Sequence, residues 1–167
     1  LGIQEEALFN LAKINLQRGN FQVAVNALDE YLTNYPQGKR VSESEGLLTD
    51  ALLNSSDYLR VLDQLDKLKS KSPRIQEAYQ KVAFYQAMIY YRDQKWEQAL
   101  AYLTKSQTFP SDKNLLGESY FWKGEIYSAQ DEFAKAIPAY QNALKQISAP
   151  ADYALKSTYG LGYAYFN

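Results

Sequence analysis

Apolar residues in this chain recur at steps of three and four positions, which places them along one face of an α-helix. The clearest such stripe consists of Phe133, Ala136, Ile137, Tyr140, Ala143 and Leu144. Short polar links, for example 17–20 and 55–57, separate one helical segment from the next. Helices joined by links this short pack as antiparallel neighbours, so the pattern predicts helical hairpins. No stretch alternates apolar and polar residues between turn signals, so we expect no sheet.

The hairpins are related by a period of 37 or 38 residues. The second helix of each hairpin opens on an aromatic residue, in turn Phe21, Tyr58, Trp96 and Phe133. Three positions after these aromatic residues stand Ala24, Val61, Ala99 and Ala136. A fixed period of this length is typical of stacked supersecondary units. The chain therefore contains four repeats, near 5–38, 42–75, 80–112 and 117–150, followed by half a repeat at 155–167.

A column of small residues lies nine positions before the aromatic residues. Its members are Ala12, Thr49, Ala87 and Gly124, with Gly162 one period later. Small side chains let two helices approach each other closely. Glycine inside a helix costs about 1 kcal/mol relative to alanine. We therefore expect Gly124 and Gly162 to lie at helix contacts that exclude a methyl group.

The repeat pattern resembles the tetratricopeptide repeat. In the fourth repeat the resemblance rests on 120–127, Phe133, Ala136, Tyr140 and 143–144. In the first repeat it rests on Leu8, Leu11, Ala12, Gly19, Phe21, Ala24, Leu32 and Pro36. The second repeat departs most, with Glu45, Thr49 and Val61 where the family has large apolar, small and alanine residues. The resemblance implies an all-α fold: one right-handed α–α superhelical solenoid of tetratricopeptide-type helical hairpins over 1–167.

One segment is similar to a particular branch of that family. The residues from 19–21 to 35–38 look like those of bacterial cell-envelope members. Examples are the lipoprotein of the outer-membrane barrel-assembly machine and the accessory factor of the Tol–Pal system. This resemblance implies a bacterial protein and favours the periplasm or cell envelope over the cytoplasm. The chain does not begin with Met and both ends cut into the repeat pattern, so we expect a fragment of a larger protein.

In the tetratricopeptide family the first helix of each pair lines the concave face of the solenoid. The resemblance therefore places a partner-binding stripe on these helices, where exposed aromatic residues beside mixed charges suit a peptide or a partner helix. The stripe consists of Phe9, Lys13, Asp50, Phe84, Met88, Tyr91, Phe121, Glu125, Tyr159, Tyr163 and Phe166. An alternative stays open for Phe9, Phe84 and Phe121, which would then pack between adjacent repeats.

One known use of the fold, the carboxylate clamp of chaperone cochaperones, requires a set of Lys, Asn and Arg residues on the same face. The residues at those positions here are Phe9, Lys13, Leu47, Lys81 and Tyr85. Only Lys81 fits the clamp. We therefore do not expect that class of partner.

Charge and hydropathy exclude two further classes of partner. The 18 basic and 19 acidic residues are evenly spread and give a net charge of −1. A duplex-binding protein concentrates basic residues on one face, so we expect no nucleic acid partner. No run approaches the length of about 18 apolar residues that a membrane span needs, so we expect no direct membrane insertion.

The residues needed for common enzyme chemistry are absent from this sequence. It contains no His and no Cys, which removes the commonest general base, metal ligand and activated nucleophile. It has no glycine-rich phosphate cradle, and its neighbouring carboxylates suit the first turns of helices. The tripeptide 54–56 is a glycosylation sequon, which matters only in a eukaryotic secreted protein. We expect no catalysis, no cofactor and no metal.

Two functions remain open. The leading one is a scaffold that holds a peptide or protein segment in a concave groove. The alternative is a regulatory or oligomerisation module of a signalling or catalytic protein whose active domain lies outside this sequence. The half repeat at the end carries Leu161 and Tyr165 without the helix that would cover them. We therefore also expect self-association through this end or fraying of its helix.

Overall fold

The computed structural model describes residues 2–53, 57–68, 71–146 and 152–167. Within these ranges the chain forms nine α-helices and no strand. They are α1 (Gly2–Gln17), α2 (Phe21–Asn34), α3 (Val41–Leu53), α4 (Tyr58–Lys67), α5 (Pro73–Arg92), α6 (Trp96–Ser106), α7 (Lys113–Ala129), α8 (Phe133–Gln146) and α9 (Asp152–Phe166). The predicted all-α fold class is confirmed. The sequon at 54–56 lies outside the described residues.

The helices begin and end at residues whose chemistry favours a boundary. The carboxylate of Asp57 accepts a hydrogen bond from the backbone N–H of Arg60 at 3.1 Å and caps α4. The carboxylate of Asp112 accepts from the N–H groups of Asn114 at 2.9 Å and Leu115 at 3.2 Å and caps α7. Gly19 ends the first helix with a φ of +74°, a conformation that glycine adopts without strain.

The chain divides into two compact units, Leu1–Ala78 and Tyr79–Asn167. In the first unit α1 packs against α2, and α2 packs against α3. Its buried core contains Phe9, Ala12, Ala24, Leu28, Tyr31, Leu48, Leu52, Val61 and Leu65. Three of these core residues, Ala12, Ala24 and Val61, belong to the periodic columns of the sequence. At these positions the periodicity therefore indicates buried side chains.

In the second unit α7 packs against α6, α8 and α9, and α8 packs against α9. One core cluster contains Phe84, Ala87, Ala99, Leu103 and Ile126. The other contains Phe121, Ala136, Tyr140, Ala143 and Ala164. Both clusters combine small alanine residues with the large side chains that fill the space beside them.

Two glycines of the second unit lie close to the Tyr140 ring. A Cβ added at Gly124 would lie 2.6 Å from Cε1 of Tyr140, and one added at Gly160 would lie 2.5 Å from its Cζ. The expected close contact at Gly124 is therefore confirmed. The same expectation is wrong for Gly162, where an added Cβ meets no atom within 4 Å. The reason is that α9 turns Gly160, two positions earlier, toward α8.

A buried amide fixes the link that leads into α7. Gln80 is fully buried, and its Nε2 donates to the carbonyl oxygen of Asp112 at 2.9 Å. Its Oε1 accepts from the N–H of Asp112 at 2.7 Å. The hydroxyl of Ser106 donates to the carbonyl oxygen of Gln80 at 2.9 Å. These bonds hold Asp112 at the start of the helix that carries Phe121 and Glu125.

Candidate partner-binding site

Three aromatic residues of the predicted stripe are buried. Phe9, Phe84 and Phe121 are only 1%, 6% and 4% exposed. The expectation that they are exposed aromatic residues is therefore wrong, and their burial agrees with the alternative interpretation, in which they pack inside the repeats' core. Neighbouring side chains cover them: Arg40 lies over the ring of Phe9, and Phe121 stands 5.3 Å from the ring centre of Tyr153. Their apolar area contributes to the core instead of to an open surface.

In the first unit, ion pairs close the surface above Phe9. The guanidinium of Arg40 lies 4.7 Å from the ring centre of Phe9 and hydrogen-bonds to Glu6 at 3.3 Å and Glu43 at 3.1 Å. The ammonium of Lys13 lies 3.5 Å from Glu43 and 5.4 Å from the same ring centre. These pairs are half-exposed, so each contributes little to stability. They still leave no aromatic face open beside Lys13.

Asp50 lies on α3 and is exposed. Its predicted binding role stays a prediction.

In the second unit, Met88 and Tyr91 are half-buried against the core cluster of Phe84. The ring of Tyr91 stands 4.6 Å from that of Trp122 and 5.4 Å from that of Trp96. Burial raises the pKa of the Tyr91 hydroxyl, and the negative charge of Glu125 raises it further. Tyr91 therefore lies within electrostatic reach of Glu125.

The structure brings Phe121, Glu125 and Tyr159 of the predicted stripe together in one open pocket. Its volume is about 580 Å³, and its lining is completed by Leu155 and Lys156. Phe121 and Glu125 stand one turn apart on α7, as Leu155 and Tyr159 do on α9. Leu155 is 74% exposed and Tyr159 is 79% exposed, so the α9 wall is open to solvent. We call this site the α7–α9 pocket.

The carboxylate of Glu125 is anchored through one oxygen. Its Oε1 accepts a hydrogen bond of 2.6 Å from the hydroxyl of Tyr140, which also lies 3.1 Å from the hydroxyl of Ser128. Burial raises the pKa of Tyr140 far above its ordinary value, and the bond to Glu125 raises it further. Tyr140 is therefore a neutral donor that holds Glu125 in place.

The cation of the α7–α9 pocket already has an acidic neighbour. The ammonium of Lys156 lies 2.5 Å from the carboxylate of Asp152 and 5.3 Å from the ring centre of Tyr153. The hydrogen bond to Asp152 is the main reason that the pKa of Lys156 is raised. The charge of Lys156 is therefore largely balanced on its own helix.

Tyr163 stands one turn beyond Tyr159 on α9 and is half-exposed. Its ring centre lies 5.9 Å from that of Phe133 on α8. It does not line the α7–α9 pocket. Tyr163 and Phe166 instead continue an exposed aromatic surface toward the end of α9.

Sequence reasoning missed Leu155 and Lys156. Leu155 lies one turn before Tyr159, so continuing the stripe backwards along the same helical face would have found it. No signal in the sequence indicated Lys156, because its side chain reaches the pocket from beside the stripe. Its proximity depends on how α9 packs against α7.

The arrangement of the described residues also bears on metal binding and on membrane spanning. No group of three or more acidic side chains there is arranged to hold a metal ion. None of the helices in those ranges combines the length and apolarity that crossing a bilayer requires.

Sequence profiles of known families match most of the repeats. One tetratricopeptide repeat profile matches residues 6–38 and 77–110, and a second profile of the same repeat matches 117–148. The chain belongs to the tetratricopeptide repeat family, as the spacing of its columns had indicated. It is accordingly an all-α helical-repeat protein of the class that serves as protein-interaction scaffolds.

Similar solved structures include three that carry the name MamA. A crystal structure of MamA protein shares 16% identity at a TM-score of 0.49, over 99% of this chain and 83% of that chain. A MamA RS-1 ArsTM double mutant shares 21% identity at a TM-score of 0.44, over 98% of this chain and 84% of that chain. MamA 41-end from Desulfovibrio magneticus RS-1 shares 21% identity at a TM-score of 0.43, with the same coverage of the two chains. Likeness at this level assigns no function to the chain, and no curated protein matches it significantly.

Proposed function

We propose that this chain is a non-enzymatic scaffold that binds a peptide or protein segment in a groove lined by the first helices of its repeats. The observation that carries the proposal is the α7–α9 pocket, which joins a buried aromatic floor at Phe121 to exposed apolar walls. Two of its lining residues, Leu155 and Tyr159, expose large apolar surfaces beside two charged side chains. Aromatic anchors with charged neighbours are typical of the centres of binding interfaces.

The burial of each residue decides whether its replacement can test binding. Phe84 and Phe121 are core residues, so replacing them would disturb folding as well as binding. Leu155 and Tyr159 are exposed, so replacing both with serine should leave the fold intact. Peptides selected from a random display library against the wild-type chain supply the ligands. Their affinities are then measured by fluorescence polarisation.

The double variant Leu155→Ser/Tyr159→Ser should bind the selected peptides at least about tenfold more weakly, because hot-spot residues carry most of an interface's energy. Ile3→Ser is the matched control, since Ile3 is an exposed apolar residue on α1 of the other unit. The control should bind like the wild type. Equal affinity of the folded double variant would remove the α7–α9 pocket from the binding surface.

We also propose that the chain is part of a larger bacterial protein of the periplasm or cell envelope. The support is the likeness of its first repeat to cell-envelope members of the family. The full-length sequence tests this directly. A signal peptide with a lipoprotein cysteine is the expected finding. A kinase or DNA-binding domain would favour the alternative, a regulatory module of a signalling or catalytic protein.

One observation supports self-association as a second function. Of the two residues expected to lack a covering helix, Tyr165 is exposed, whereas Leu161 packs partly against the core. Tyr163 and Phe166 expose further aromatic rings along one face of α9, in continuation of Tyr159. We propose that two copies associate through this face. Sedimentation velocity should show a concentration-dependent dimer that Tyr163→Ser/Phe166→Ser abolishes and Ile3→Ser retains. A chain that stays monomeric up to about 1 mM, where a contact of even millimolar Kd would show, would exclude it.

A further inference from the structure

The carboxylate of Glu125 has unused hydrogen-bonding capacity inside the α7–α9 pocket. A carboxylate offers about four acceptor positions. Among the described residues, the hydroxyl of Tyr140 is the one hydrogen-bond donor to Glu125, and it occupies Oε1. Glu125 is half-buried and lines the pocket, so a ligand that enters the site meets this residue. A half-buried carboxylate favours a charged donor from a ligand.

The charge balance of the pocket also favours a cation. Lys156 is the only basic residue of its described lining, and Asp152 neutralises it at 2.5 Å. In the described parts of the chain Lys156 forms its ion pair with Asp152, while the charge of Glu125 acts on Lys156 more weakly and helps to raise its pKa. Glu125, Lys156 and Asp152 together therefore leave one negative charge at the site. A cationic group would gain the most from entering it.

The pocket walls select among cations. Phe121 forms the floor, and the exposed ring of Tyr159 stands on the opposite helix. A planar guanidinium can stack on an aromatic ring while it donates two parallel hydrogen bonds to a carboxylate. An ammonium group lacks the planar face and the paired donors. The walls and the carboxylate therefore match a guanidinium better than an ammonium.

We propose that the α7–α9 pocket binds an arginine side chain of the captured segment, with Glu125 as its acceptor and Tyr159 as its stacking surface. This assignment rests on the proposed scaffold function and adds the residue type that the pocket selects. Tyr140 acts as a positioning residue, since its hydroxyl holds Oε1. Each carboxylate oxygen accepts up to two hydrogen bonds, so both oxygens of Glu125 keep an acceptor position for the guanidinium.

The test uses amino-acid amides as probes. Nα-acetyl-arginine amide is titrated into the isotopically labelled chain, and backbone amide shifts of α7 and α9 are followed by NMR. Nα-acetyl-citrulline amide is the matched probe, because its urea group is planar and of similar size but uncharged. The arginine probe should give saturable shifts around Glu125 and Tyr159. The citrulline probe should bind at least about tenfold more weakly, because charge-assisted hydrogen bonds are roughly twice as strong as neutral ones.

Two variants separate the proposed contacts from folding. Glu125→Gln keeps an acceptor for Tyr140 and removes the charge, and it should lose the preference for arginine over citrulline. Glu97→Gln is its control, because Glu97 is an exposed acid on α6 that does not line the pocket. Tyr159→Ser alters a residue that is too exposed to affect the fold, and it should weaken the arginine probe as well. The dispersion of the NMR spectrum reports folding in each case.

Several results would overturn the assignment. Equal shifts from arginine and citrulline would exclude a charge-selective site, and so would an unchanged arginine preference in folded Glu125→Gln. Stronger binding of Nα-acetyl-glutamate amide would show that Lys156 dominates the pocket instead. The library peptides distinguish this failure from failure of the scaffold function. Peptides without arginine that still depend on Leu155 and Tyr159 would retain the scaffold and remove the arginine assignment.

Discussion

At the scale of single residues, two glycines one period apart in sequence have opposite surroundings. Gly124 faces the Tyr140 ring so closely that an added Cβ would lie 2.6 Å from it, whereas Gly162 faces open space. Both stand inside helices, where alanine is favoured over glycine by about 1 kcal/mol. The same substitution at the two sites therefore compares steric exclusion with helix propensity directly.

Gly124→Ala should destabilise the chain by about 1–3 kcal/mol, because the new methyl group overpacks against a buried ring. Gly162→Ala should stabilise it by up to about 1 kcal/mol through helix propensity. Urea denaturation followed by circular dichroism measures both free energies of unfolding. If both variants gain stability, the Tyr140 ring has room to move away, and the contact around it is looser than the structure indicates.

At the scale of helices, three links between paired helices share one backbone conformation. Gly19, Gln94 and Asp131 each stand two positions before the second helix of a pair, and their φ angles are +74°, +58° and +58°. This left-handed conformation strains a residue that carries a Cβ. Aspartate tolerates it better than glutamine does. Gln94 is therefore the most strained of the three.

Gln94→Gly should raise the free energy of unfolding by about 0.5–1 kcal/mol, because it removes the strain at a cost in chain entropy. Asp131→Gly should gain less. The measurement is thermal unfolding of the two variants and the wild type. Loss of stability in Gln94→Gly would mean that the glutamine side chain contributes more than its backbone costs.

The helices themselves could be predicted from sequence, but the faces of some of them could not. The period of 37 or 38 residues placed Phe21, Trp96 and Phe133 at helix starts, and the structure begins α2, α6 and α8 there. The period could not show that Gly160 and not Gly162 meets Tyr140, because the rotation of α9 depends on its packing against α8. The sequence also could not show that Phe121 is buried. Its cover is Tyr153 from α9, and that contact depends on how α9 packs.

At the scale of the whole molecule, stability depends on alkaline pH through buried tyrosines, because the sequence has no histidine that could titrate near neutral pH. The sequence has 15 Tyr and no His, so few side chains titrate near neutral pH. Burial raises the pKa of Tyr31, Tyr91, Tyr140 and Tyr153. Burial lowers the pKa of Lys123, which acts in the opposite direction. Hydrogen bonds to neighbouring carboxylates raise the pKa of Lys135 and Lys156, which act in the same direction as the tyrosines.

The sign of the alkaline effect follows from these directions. A tyrosine whose pKa is raised in the folded protein keeps its proton at a pH where the unfolded chain loses it. Its stabilising contribution is therefore complete below the unfolded pKa of about 10 and is lost as the pH rises above that value. The free energy of unfolding should be nearly constant between about pH 6 and 8 and should fall steeply above about pH 10.

Tyr140→Phe isolates the largest of these contributions. Phenylalanine keeps the ring between Gly124 and Gly160 but removes the hydroxyl that donates to Glu125. The variant should be less stable than the wild type at neutral pH, because Glu125 loses its donor. Above about pH 10 its stability should fall less steeply, because one proton fewer is retained by the folded state. Parallel pH profiles of the two proteins in urea denaturation would contradict the assignment of the alkaline loss to Tyr140.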